Sequence, residues 1–284
     1  MISTLSPKEI SCEFSASSHK KTGINNRQLA VYGILGGAFI SLGGALSVMV
    51  AGGMPGVAAT NPGLVKLLFG AMFPLGLVLV VIAGAELFTS DCAVMPMAKM
   101  YGIQPWKQVL RMLFMAYVFN FVGALLVAYI LHLTGIFSHD SWQAFLHGLA
   151  EKKLHGGFVD IMAKGIVANW LVCLAVWMAT AAKDAVSKAV LIWFPVMAFV
   201  TMGMEHSIAN MFFFPMAIFE QAPVSWGQFL YTNLIPATIG NIIGGAVFVA
   251  LPYAIVYPKI NKPHHASPQD HLVVEKDEAR VLQN

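Results

Sequence analysis

Apolar residues run in six stretches, near residues 29–52, 64–98, 108–133, 158–182, 188–218 and 227–257, and the short segments between them hold most of the charged side chains. The hydrocarbon core of a bilayer takes about 20 apolar residues per helix, so this pattern predicts six membrane-spanning helices. The second and fifth stretches are too long for one plain crossing, and polar letters interrupt both. The first interruption reads GAELFTSDCAVMPMA (84–98) and the second GMEHSIANMFFFPMA (203–217). With Glu86 laid on Glu205, each has Asp91 or Asn210 five positions on and a Pro-Met-Ala ending at Pro96 or Pro215.

The duplication extends outward. SWGQFL (225–230) echoes PWKQVL (105–110), NIIGG (241–245) echoes NFVGA (120–124), and GIVANWLVCLAV (165–176) echoes GILGGAFISLGG (33–44) more weakly. Each half is then a unit of three helices. Three is odd, so the second unit enters the membrane from the opposite side, and inverted units place a shared site near the midplane at interrupted helices. The expected fold is therefore all-α and membrane-embedded, with six helices in two inverted three-helix repeats, comparable to an aquaporin.

The interruptions are physically legible. Ser90, Asp91, Ser207 and Asn210 have short polar side chains that compete for backbone hydrogen bonds, and Pro96 and Pro215 each remove a donor and disfavour helical geometry before them. Non-helical backbone at membrane depth survives only where it is buried in protein or lines a cavity. Two ordinary kinks packed into a bundle are the plainer reading, but ionisable residues at membrane depth mark function by default.

Composition agrees with a membrane protein. The 284 residues are 57% hydrophobic with a mean hydropathy of +0.70 and 11% charged, against about 25% charged in a soluble domain. Lys and Arg gather on one side of the predicted spans: Lys8, Lys20, Lys21, Arg27, Lys99, Lys107, Arg111, Lys183, Lys188, Lys259, Lys262, Lys276 and Arg280, against Lys66, Lys152, Lys153 and Lys164. The positive-inside rule then places both termini in the cytoplasm of a cell with this protein in its cytoplasmic (inner) membrane. Three parts follow: a cytoplasmic arm (1–28), a transmembrane body (29–257) and a solvated tail (258–284). In the arm, Ser6, Pro7 and Glu9 form a helix-start pattern, which predicts a short surface helix; a disordered terminus is the alternative. Cys12, Cys92 and Cys173 form no CxxC pair and read as small buried hydrophobes. Nothing calls for a metal or cofactor. Gly33 with Gly37, and Gly240 with Gly244, are spaced for close helix packing.

LFTS (87–90), KLHGGF (153–158), ANWLVCLAVWM (168–178), EHSIANM (205–211) and GNIIGG (240–245) resemble, in order and spacing, the formate/nitrite transporter family. The likeness covers residues 29–257, and SPKEI (6–10) resembles the opening of that family's N-terminal helix. It implies a pentamer of six-helix protomers, each with its own pore for small monovalent anions such as formate, nitrite, hydrosulfide, acetate or lactate, and an arm that gates the pore at acid pH. Carried over by position, Phe73, Leu77 and Phe199 would form the outer constriction and Leu87 and Phe88 the inner one. Thr89 and His206 would face each other between them, with Lys153, Asn169 and Asn241 along the path. Glu86 and Asp91 depart from some members of the family.

A bare anion between Phe and Leu rings loses its solvation, which costs tens of kcal/mol in the idealised limit, whereas the neutral acid loses only a few. Protonation in the cavity is therefore the expected way through. His206 stands deep in an apolar span among polar neighbours, and histidine changes charge near neutral pH. It reads either as the group that lends or relays the proton, with Glu205 tuning it, or as a structural residue bonded to Thr89 or Asn210. His132, His139, His147 and His155 read as solvated residues at an outer loop. Lys153 would enrich anions at the outer mouth. Rival classes are weaker: there is no Asn-Pro-Ala pair for a water or urea channel, no HExxH for a metalloprotease, and one deep histidine where a bis-histidine haem protein needs several.

Overall fold

The computed structural model describes residues 4–258, and every regular element among them is helical. The tail expected over 258–284 lies, except for Pro258, outside the described residues. The principal helices are α1 (Pro7–Gly23), α2 (Asn26–Gly52), α3 (Pro62–Gly84), α4 (Phe88–Met100) and α5 (Trp106–Thr134). They continue with α6 (Asp140–Leu154), α7 (Phe158–Ala181), α8 (Ala185–Thr201), α9 (Ser207–Phe219) and α10 (Gln228–Val256). A short helix, Pro55–Thr60, links α2 to α3.

Among the described residues, α2, α3, α5, α7 and α10 are long and apolar enough to cross a membrane, and α8 and α9 are shorter apolar helices. The long second and fifth apolar stretches are each split, into α3 with α4 and into α8 with α9. The splits do not fall where the prolines suggested. Pro96 lies inside α4 and Pro215 inside α9; the chain leaves helical geometry earlier, at residues 85–87 and 202–206. Ser90, Asp91, Ser207 and Asn210 sit in the first turns of the helices that follow.

Each split begins at a glycine in the left-handed region, Gly84 at φ +88° and Gly203 at φ +73°. That conformation ends helices because it turns the next N–H back onto the last carbonyls: Ala85 N donates to Val80 O and Met204 N to Phe199 O, both at 3.0 Å.

Packing follows the small residues. α2 lies along α5, and α7 along α10. A Cβ on Gly37 would overlap the Asn120 carbonyl, and one on Gly240 would overlap the Met162 carbonyl, so these helix pairs meet at backbone distance. Large apolar side chains point away from the body, among them Leu110, Phe114, Val186 and Tyr231 at 61–74% exposure. Such an inside-out surface suits lipid or a neighbouring subunit.

α5 spans the body, about 44 Å at 1.5 Å per residue. At its start Arg111 bonds the carbonyls of Thr22 and Ile24 beside α1, and near its end His132 bonds Glu220 close to α6. These ends define an α1 face and an α6 face. α1 is capped as its sequence indicated, with Ser6 and Glu9 satisfying each other's backbone donors, but it has 17 residues and packs firmly. Phe14 is buried against Trp177 with ring centroids 5.2 Å apart. Tyr101 hydrogen-bonds both Ser11 and the carbonyl of Tyr257, joining the arm to the end of α10.

Candidate functional site

The two splits converge. α4 runs from the interior to the α1 face and α9 from the interior to the α6 face, and their starting residues meet: Leu87 and His206 line one small cavity together with Ile40, Phe73, Leu77, Val172, Val196 and Phe199.

A pair of asparagines builds both starts in the same way. Asn120 on α5 accepts from Phe88 N at 2.9 Å and donates to Gly33 O and Glu86 O at 2.7 and 2.8 Å. Asn241 on α10 accepts from Ser207 N at 2.8 Å and donates to Gly165 O and Glu205 O at 2.8 and 2.9 Å. Both asparagines are fully buried. Each therefore satisfies a helix-start donor that has no intrahelical partner, and ties one carbonyl of the non-helical segment, Glu86 O or Glu205 O, to a carbonyl of the neighbouring helix, Gly33 O or Gly165 O. The backbone matches too: Glu86 N donates to Tyr32 O and Glu205 N to Lys164 O. A half-helix end offers unpaired N–H groups, and here the asparagines occupy the first of them.

His206 is 2% exposed and is the N-cap of its own helix. Its Nδ1 accepts from Ala209 N at 3.1 Å, which leaves Nδ1 without a proton and puts the ring hydrogen on Nε2. Nε2 therefore donates to Thr89 Oγ1, 3.0 Å away on α4, leaving the Thr89 hydroxyl hydrogen to donate elsewhere. The imidazole lies nearly parallel to Phe199, with centroids 5.8 Å apart and planes inclined by 22°. Asn169 on α7 completes the crossing, donating to Thr89 O at 3.0 Å and Asn241 O at 2.6 Å.

Towards the α6 face, a cavity of about 50 Å³ lies between Phe69, Phe73, Lys153, Phe199, His206 and Phe213. Beyond His206, the cavity shared with Leu77 and Leu87 shrinks to about 10 Å³, roughly the space for one water molecule. Phe73 and Phe199 meet edge to face at 6.1 Å. Phe88 is not brought to this cavity; its ring packs edge-on against Tyr117 at 4.8 Å.

Lys153, at the end of α6, reaches Glu205 Oε2 at 3.0 Å. Asn210 and Asn233 also donate to that oxygen, at 2.7 and 3.2 Å, and Asn233 holds the Lys153 carbonyl at 2.9 Å. Glu205 is thus a buried carboxylate matched by one ammonium and two amides.

Around the other break, Lys21 of α1 bonds Glu86 and lies 2.9 Å from Asp91 Oδ1. Burial alone would push the Lys21 ammonium down, but Asp91 and then Glu86 outweigh it and hold the group above its ordinary value. Ser90 turns back onto Leu87 O. The histidines assigned to a solvated loop are more engaged than expected: His132 and His147 both hydrogen-bond Glu220 at the end of α9.

Asn120, Asn233 and Lys21 were not expected at the site. Asn120 was findable, since it occupies in NFVGA the place of Asn241 in NIIGG; Asn233 and Lys21 carry no such signal.

A family model described as "Formate/nitrite transporter" matches residues 8–255. A "Probable formate transporter" of Methanothermobacter thermautotrophicus is 44% identical over 89% of this chain and 97% of its own length. "Formate channel FocA" of Escherichia coli (strain K12) is 37% identical over 81% of this chain and 87% of its own. Among solved structures, an "FNT family ion channel" superposes with a TM-score of 0.79 at 28% identity, covering 88% of this chain and 99% of that one. A "Pentameric formate channel with formate bound" superposes with a TM-score of 0.73 at 33% identity, covering 82% and 98%. The chain is therefore a multi-pass membrane protein of the formate/nitrite transporter family, a family of transporters and channels rather than enzymes.

Proposed function

We propose that this chain carries small monovalent anions, formate first among them, across the cytoplasmic membrane together with a proton, through a passage that runs past His206. The supporting observation is the His206–Thr89 pair, set between an aromatic cavity reached by Lys153 and a constriction of Leu77, Leu87 and Phe199 with space for about one water. An anion drawn in by Lys153 reaches His206, which lines both cavities and holds the Thr89 hydroxyl.

The hydrogen-bond directions support one route for the proton. Thr89 O–H donates to the carboxylate and breaks its O–H bond as the acid forms. His206 Nε2–H re-protonates Thr89 Oγ1, and Nδ1 takes a fresh proton in exchange for its bond to Ala209 N–H. The anion crosses the apolar constriction as the neutral acid, for which the solvation cost is a few kcal/mol rather than tens.

In this reading the mirrored breaks are the centre of two inverted three-helix repeats within a six-helix body (29–257), flanked by a cytoplasmic arm and tail. Five copies assemble as in the pentameric relative, each with its own path, and the exposed apolar faces meet lipid or a neighbouring copy. The test is formate uptake with simultaneous proton uptake in proteoliposomes. Replacing His206→Phe is expected to abolish proton-coupled formate flux; undiminished coupled flux in that variant refutes the role.

A further inference from the structure

The two breaks hold different amounts of charge. Around Glu205 there is one carboxylate, one ammonium (Lys153) and two amides (Asn210, Asn233). Around Glu86 there are two carboxylates, Glu86 and Asp91, and one ammonium, Lys21, which comes from α1 outside the duplicated part of the chain. Asp91 stands where the other break has Asn210, so an amide that donates is replaced by a carboxyl group. Asp91 is fully buried, and its Oδ2 has no hydrogen-bond partner among the described residues. One ammonium leaves this cluster a full negative charge in excess, and a buried charge without a partner is costly. A single added proton removes the excess and gives the acceptor oxygens a donor.

Resting on the proton-coupled reading above, we infer that Glu86 and Asp91, clamped by Lys21, form a second proton-carrying site on the α1 side of the Leu87 constriction. The transfer is balanced: the O–H bond of the neutral acid breaks, an O–H bond forms on a carboxylate oxygen of the pair, and the anion leaves towards the α1 face. In the reverse direction the pair re-protonates an arriving anion. The titratable groups that face Asp91 among the described residues are Lys21 from α1, Glu86 from the break, Cys92 on α4 and Cys173 on α7. Asp91 begins about 3 Å further along α4 than Thr89 at helical rise, two positions on and so turned to a different face of the helix, where it meets Lys21 of α1.

The test uses the full-length protein in liposomes with formate. Asp91→Asn gives this break the amide that Asn210 gives the other, and Glu86→Gln removes the second carboxylate. Infrared difference spectra between neutral and acid pH are expected to show a protonated carboxyl band in the wild type that is lost in either variant. The pH of half-maximal formate flux is expected to move by at least about one unit. The inference is overturned if the wild type lacks the band, or if both variants keep the band and the wild-type pH profile. Formate flux without proton movement in the wild type would instead sink the proton-coupled reading itself, while the infrared band reports on the carboxyl pair without transport.

Discussion

The break before α4 and the break before α9 share a backbone and differ in chemistry. Each starts with a left-handed glycine, each borrows a carbonyl from the neighbouring helix for its Glu N–H, and each is sewn down by an asparagine making the same three bonds. Yet His206 faces Leu87, Ser207 faces Phe88, and Asn210 faces Asp91 in the aligned sequence. The common part does what no membrane interior tolerates undone, the pairing of non-helical N–H and C=O groups. The part that diverged includes the side chains lining the cavity between the breaks. A shared scaffold thus leaves one break free to hold an imidazole and the other a leucine.

If the scaffold is truly shared, damage to it should cost the same at both ends. Asn241→Ala leaves Ser207 N–H and the Glu205 carbonyl without a partner, and Asn120→Ala does the same to Phe88 N–H and the Glu86 carbonyl. At about 1–3 kcal/mol for each buried group left unpaired, both variants are expected to lose at least about 2 kcal/mol, read as matched drops in thermal unfolding in detergent. A large loss at one position and none at the other would break the equivalence. Charge should separate the two ends more sharply. Lys153→Met strands the Glu205 carboxylate, 5% exposed, and removing one partner of a buried pair costs about 3–5 kcal/mol. Adding Glu205→Gln to that variant is expected to restore most of the loss, measured the same way. The smallest effect belongs to the glycines: a Cβ at Gly84 or Gly203 meets nothing within 4 Å, so Gly84→Ala and Gly203→Ala each carry only the left-handed backbone cost of about 1–2 kcal/mol. Unequal values would show that one break is held by something besides its backbone turn.

Much of this was legible in the residues. Polar letters inside apolar text located both breaks to within a few positions, because a membrane interior makes each such letter conspicuous. The prolines misled, since a proline nine residues into α4 or α9 removes one bond without ending the helix, whereas a left-handed glycine redirects the chain. Asn120 was readable from its repeat position opposite Asn241, but Asn233 was obscured for a different reason: an asparagine's bonds depend on which groups the fold brings beside it, and sequence spacing does not state that. Lys21 belonged to a polar arm that read as surface, and only packing of α1 against α4 carries its ammonium to two buried carboxylates.

The glycine seams set a limit on how the molecule moves. Where α2 meets α5 and α7 meets α10 at Gly37 and Gly240, a tilt of either helix drives a carbonyl oxygen into the opposing backbone. Rocking of whole helices, a microsecond-to-millisecond affair, is thereby discouraged, whereas Phe73, Leu77, Leu87 and Phe199 around the small cavity need only swing between rotamers to rearrange, a much quicker motion. A skeleton welded in this way leaves rearrangement around that cavity to a few side chains.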